Sequence, residues 1–189
     1  MDTQTSLCTG QSINLAHLAP FVNISRQKII DSLYWEFDSI QRDDIDDDEI
    51  AQIAEHRLRK EIKDAVQTMN YQWSTISSSQ GQTPFITLFM YLKDPSIKDN
   101  QTEYDLALLI EEILKQRIQG VKNEDGVWVT PTFPKLIYVL DDNNINEDAE
   151  YFYLTELAAK CTAKRMVPDY ISAKMMKKIK GDVYSPMGR

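Results

Sequence analysis

Two short segments of this chain, residues 83–91 and 135–140, are apolar almost without a break. Pro84, Phe85, Ile86, Leu88, Phe89, Met90 and Tyr91 crowd the first, and Leu136, Ile137, Tyr138, Val139 and Leu140 fill the second. Successive side chains of a strand point to opposite faces, so such a run fits a strand buried on both sides rather than one with a wet face. The residue types favour strand as well. Pro84 and Pro134 sit at the starts, where a missing backbone donor is tolerated.

Between these segments the hydrophobic period changes. Leu106, Ile110, Ile113 and Leu114 recur at helical spacing and stop before Gly120, with Thr102 and Asp105 resembling a reciprocal N-terminal cap. Asp125 and Gly126 suit a tight turn between Val121 and the extended residues 127–129. After residues 141–146 break the second strand, Leu154, Leu157, Ala158 and Cys161 line one side of a further helix. Asp169 is placed to cap a short last helix carrying Ile171, Met175 and Ile179, ended by Gly181, with Val183 and Tyr184 extended beyond it. Strand, helix, strand and helix in alternation is α/β organisation with parallel pairing.

Two longer helices precede this part. Ser25 can cap the first, in which Ile29, Ile30, Leu33, Phe37 and Ile40 share a face. The stripe Ile50, Ile53, Ala54, Leu58, Ile62, Ala65, Val66 and Met69 marks the second, and the two are expected to pack antiparallel.

At 189 residues the chain can bury a substantial core, as one domain or as part of a larger one. Its net charge of -8 argues against a nucleic-acid partner, because phosphate contacts need clustered Lys and Arg. Much of the acid is local, in Asp43, Asp44, Asp46, Asp47, Asp48 and Glu49, and reads as a solvated approach to the second helix; it lacks the glycine and terminal glutamate of a calcium loop. Cys8, Cys161, His17 and His56 do not compose a zinc or iron-sulfur pattern, so no cofactor is expected on this chain. No segment reaches membrane-spanning length, and the expected location is cytoplasmic.

Several motifs occur in a fixed order. They include Gly10 to Ile13, Asn70 to Gln72, Gly81 to Phe85, Arg117 to Asn123, Gly126 to Pro131, Pro134 to Tyr138, Leu157 to Arg165 and Pro168 to Ile171. From about Gly10 to the last residue the chain resembles the large subunit of the anaerobic, class III glycyl-radical ribonucleoside-triphosphate reductases. The resemblance implies a partial segment of a ten-stranded α/β barrel with flanking long helices. Residues 25–69 would be a helical pair of possible dimer or allosteric role, and residues 83–189 the strand-helix barrel units.

The resemblance also implies the chemistry. The family reduces ribonucleoside triphosphates to deoxyribonucleoside triphosphates with a cysteine thiyl, which follows a Pro-Met-Gly sequence and precedes an arginine. Here Pro186, Met187 and Gly188 are followed directly by Arg189, so the segment is expected to stop at the radical-cysteine position and to be inactive alone. The family's glycyl-radical domain with its four-cysteine structural zinc, and its N-terminal ATP-cone that senses ATP and dATP, have no counterpart here. Implied partners are nucleoside triphosphates, a second copy of the chain, a complementary C-terminal reductase polypeptide and, for the complete enzyme, a radical-SAM activase.

No residue is assigned a catalytic role. Ser78, Gln80, Gly81, Gln82 and Thr83 place hydroxyls, amides and backbone donors where a helix gives way to a strand, either to contact polyphosphate or ribose or to satisfy buried backbone. Asn70 either hydrogen-bonds a nucleotide or caps its helix, and Met187 and Gly188 join the candidates through the Pro-Met-Gly match. Lys160, Lys164 and Arg165 on successive helical turns either meet a triphosphate or form a solvated side. Cys161 fits a buried structural thiol, and Cys8 carries no expected role. Two other readings remain beside the reductase segment: a non-catalytic dNTP-binding or dimerisation module, and a degenerate truncated product.

Overall fold

The structure is a computed structural model that describes residues 11–42, 45–75 and 85–185. Its centre is a four-stranded sheet in the order β1 (Gln11–Asn14), β2 (Ile86–Met90), β5 (Lys135–Leu140), β6 (Asp169–Ser172), with every neighbouring pair parallel. The remaining strands, β3 (Val121–Lys122) and β4 (Trp128–Val129), form a separate antiparallel hairpin closed at Gly126, whose φ of 75° suits a residue without a Cβ. Ten strands are not present among the described residues: there are six, and β1 and β6 each have a single neighbour in the sheet.

The apolar runs are explained by what covers each face. On one face Leu88, Met90, Leu136 and Tyr138 pack against α3 (Asn100–Gln119) through Leu106, Ile110 and Leu114, and against α4 (Phe152–Arg165) through Leu154, Ala158 and Cys161. On the other, Phe89, Tyr91, Ile137 and Val139 are covered by Ala173 of α5 (Ala173–Lys180) and by Val183. All five residues of β2 are buried, as expected for an inner strand of a two-sided sheet.

The long helices α1 (Ala19–Ser39) and α2 (Asp47–Thr75) connect β1 to β2. They run antiparallel: Ser25 Oγ donates to Glu61, the guanidinium of Arg57 meets both carboxylate oxygens of Glu36, and Tyr34 donates to Asp47. Leu33, Ile50 and Ala54 make a small core between them. Trp35 is 72% exposed, whereas Phe37 is turned partly into that core.

Three expected helix starts are corrected. Ser25 lies inside α1, which begins six residues earlier. A 3-10 turn at Leu15–His17, capped by the Asn14 side chain, feeds directly into it, and Pro20 sits in its first turn, where no intrahelical donor is needed. The cap of α3 is Asp99, whose carboxylate accepts from the Thr102 backbone, while Asp105 is buried within the helix. Asp169 belongs to β6 and pairs with Lys135 across the sheet, leaving Ser172 to cap α5.

Candidate functional site

Of the candidate nucleotide-binding residues read from the sequence, Asn70 is the one inside the described region. It lies near the end of α2, and its Nδ2 donates to Gln116 Oε1 of α3 at 3.1 Å. Gln116 in turn donates from Nε2 to the carbonyl of Lys63 and to Glu112 Oε1, both at 2.8 Å. These amides tie α2 to α3, and Asn70 bridges the two helices.

Beside this contact the two helices part into a groove of about 500 Å³, lined by His56, Arg59, Lys60 and Lys63 from α2 and by Glu111, Glu112 and Lys115 from α3. Arg59 is engaged: it donates to the Tyr104 hydroxyl at 3.0 Å and lies 3.6 Å from Glu111. Burial alone would lower its pKa, but Tyr104, Glu111 and Glu55 together raise it. Lys115 pairs with Glu111 at 2.6 Å. Lys60 and Lys63, three residues apart on one helix face, are exposed. The groove's charged lining is four cationic side chains, Arg59, Lys60, Lys63 and Lys115, against two carboxylates, Glu111 and Glu112, on a chain of net charge -8.

The other candidate site residues, Ser78, Gln80, Gly81, Gln82, Thr83, Met187 and Gly188, lie outside the described residues, as does Cys8. Lys160 and Lys164 are exposed on α4, but Arg165 is structural: its guanidinium donates to the carbonyls of Ile118 and Gln119 and to Thr130 Oγ1. That packing also requires Gly120, since a Cβ there would stand 2.5 Å from the Val129 carbonyl oxygen and 2.8 Å from Arg165 Nη2. Cys161 is fully buried, and burial pushes its thiol pKa up, opposed by Arg117 and Arg165.

Sequence reasoning missed several buried polar groups. Arg117 donates to the carbonyls of Pro131 and Pro134, and burial lowers its pKa to about 10. Asn144 accepts from the Asp141 backbone and donates to the Tyr138 hydroxyl and the Val139 carbonyl, holding the loop after β5. Ser12 Oγ, on β1 in register with Thr87, is buried and has no hydrogen-bond partner among the described residues. A lone polar residue in a helix or loop gives no sequence signal that it will be buried. Among the described residues, no group of three or more His, Cys, Asp or Glu is placed to hold a metal, and no helix is long and apolar enough to cross a membrane.

Comparison with known proteins places these features in a family. Residues 1–188 match the model for anaerobic ribonucleoside-triphosphate reductase. The chain is 37% identical over 138 residues to the anaerobic ribonucleoside-triphosphate reductase of Enterobacteria phage T4, a match covering 71% of this chain and 21% of that protein. It is 32% identical over 174 residues to the Haemophilus influenzae enzyme of the same name, covering 90% of this chain and 22% of the relative. The Escherichia coli enzyme is 35% identical over 138 residues, which is 71% of this chain and 18% of that protein. The chain thus spans about a fifth of the length of the curated relatives it matches, and it belongs to the anaerobic ribonucleoside-triphosphate reductase family.

Proposed function

We propose that these 189 residues form one section of an anaerobic ribonucleoside-triphosphate reductase barrel, together with the helical pair α1 and α2 that faces a second copy and a groove between α2 and α3 that binds a deoxynucleoside triphosphate effector. The complete enzyme converts ribonucleoside triphosphates to deoxyribonucleoside triphosphates, and the thiyl cysteine, glycyl radical and zinc domain come from polypeptide outside these residues. A radical-SAM activase serves the assembled enzyme. The observation that carries the proposal is the all-parallel sheet covered on both faces, whose outer strands β1 and β6 each pair on one side only. A barrel section has that form, because its neighbours close both edges.

The cationic groove between α2 and α3 supports effector binding, with Lys60 and Lys63 meeting phosphates. It favours a second reading too, a module that binds dNTP without chemistry. Asn70 positions the groove through Gln116, while Ser78, Gln80, Gly81, Gln82 and Thr83, ahead of β2, and Met187 and Gly188, beyond α5, are proposed to approach the substrate.

Calorimetric titration of the 189-residue chain with dATP and dTTP tests the groove. Saturable binding is expected, weakened about tenfold or more by the double change Lys60→Ala and Lys63→Ala, since a charge-assisted phosphate contact contributes about 1.5–3 kcal/mol. Binding that is unaffected by that change, in a variant with unchanged circular dichroism, would move the nucleotide elsewhere.

A further inference from the structure

The C-terminal ends of β2 and β5 carry a cluster separate from the groove. Tyr91 follows the last residue of β2 and Asp141 the last of β5, on neighbouring parallel strands. Tyr91 is 2% exposed, and its hydroxyl donates to Asp141 Oδ2 at 2.9 Å. Lys177 of α5 brings its Nζ to 3.7 Å from that same oxygen and 6.0 Å from the centre of the Tyr91 ring. One carboxylate therefore receives a buried phenol from the sheet and an ammonium from the helix above it.

The helix needs such a tie. At eight residues, α5 is too short to be stable alone. Its apolar attachment is slight: Ala173 is buried against Phe89, Tyr91, Ile137 and Val139, Met176 is half-buried, and Met175 and Ile179 are exposed. Gly181 then turns the chain at a φ of 83°, and Val183 returns to the same apolar face. The ammonium of Lys177 is stabilised, its pKa raised first by the Tyr91 hydroxyl and then by Asp141.

We propose that Tyr91, Asp141 and Lys177 form a latch that holds α5 across the sheet face carrying Phe89 and Val139 and so fixes the direction in which the chain leaves it after Gly181. Lys177 is a positioning residue. On the reductase reading, α5 lies just ahead in the sequence of Met187 and Gly188, which follow Val183 by four and five residues. The latch itself does not depend on that reading.

Amide hydrogen exchange on the whole chain, without nucleotide, separates the two. Lys177→Met keeps the aliphatic stem and removes the charge. Exchange across residues 175–183 is expected to rise about two- to fivefold, with β2 and β5 unchanged, because a local opening is set by local contacts and Lys177 is half-exposed. Tyr91→Phe should loosen the same residues, Lys177→Arg should restore protection, and Lys178→Met, one residue along, should leave it unaltered. Wild-type protection in Lys177→Met would overturn the latch, as would equal loosening by Lys178→Met or a rise spread evenly over the sheet. Nucleotide binding enters none of these outcomes, so the latch and the reductase reading fail independently.

Discussion

Asp105 is fully buried in α3 and is met by Arg26 of α1, whose Nη1 lies 3.0 Å from Asp105 Oδ2 and whose Nη2 contacts Oδ1. Gln101 donates to the same carboxylate at 3.0 Å, and Arg26 Nε reaches Glu55 at 3.3 Å. Removing the Asp105 charge leaves the largely buried Arg26 with Glu55 as its remaining carboxylate, a partial compensation, so Asp105→Asn is expected to destabilise the chain by about 2 kcal/mol in urea unfolding. A change under about 1 kcal/mol would show that water reaches the pair. The sequence misled here for a definable reason. Thr102 and Asp105 have capping-box spacing, but Asp99 lies one turn earlier and its extended backbone lets it accept from Thr102. A cap and a buried ion pair can share the same residue types at the same spacing, and only the position of α1 separates them.

At the scale of elements, the long and strongly periodic segments were legible: α3 ends before Gly120, β5 spans the expected Lys135–Leu140, and α1 and α2 pair antiparallel. The polar edge strands β1 and β6 were not, because four residues with Gln11 and Asn14, or Asp169 and Ser172, carry no strand period of their own and are extended only by pairing with β2 and β5. Tyr138 couples two elements, its hydroxyl lying 3.1 Å from Thr155 Oγ1 of α4 and accepting from Asn144. Burial raises its pKa from 10.0 to about 12. The folded chain then keeps a proton that the unfolded chain releases, so the stability contributed below pH 10 is lost as pH rises through about 12. Urea midpoints measured from pH 9 to 11 should fall, and Tyr138→Phe should flatten part of that slope. An identical slope in the variant would assign the loss to other groups.

For the whole molecule, the motifs carried the family and the apolar runs carried the two-sided sheet, whereas the groove between α2 and α3 was beyond the sequence. Lys60 and Lys63 lie on α2 and Lys115 on α3, and they converge only once Asn70 and Gln116 have fixed how those helices cross. A sheet with single-neighbour outer strands makes the central claim one of completion by further protein. The direct measurement is anaerobic CTP reduction by this chain mixed with an activated polypeptide carrying the glycyl-radical and thiyl-cysteine portions of a reductase, each component also assayed alone. Deoxycytidine triphosphate formed only in the mixture is the predicted result; stable, folded components that neither associate nor reduce CTP together would contradict it.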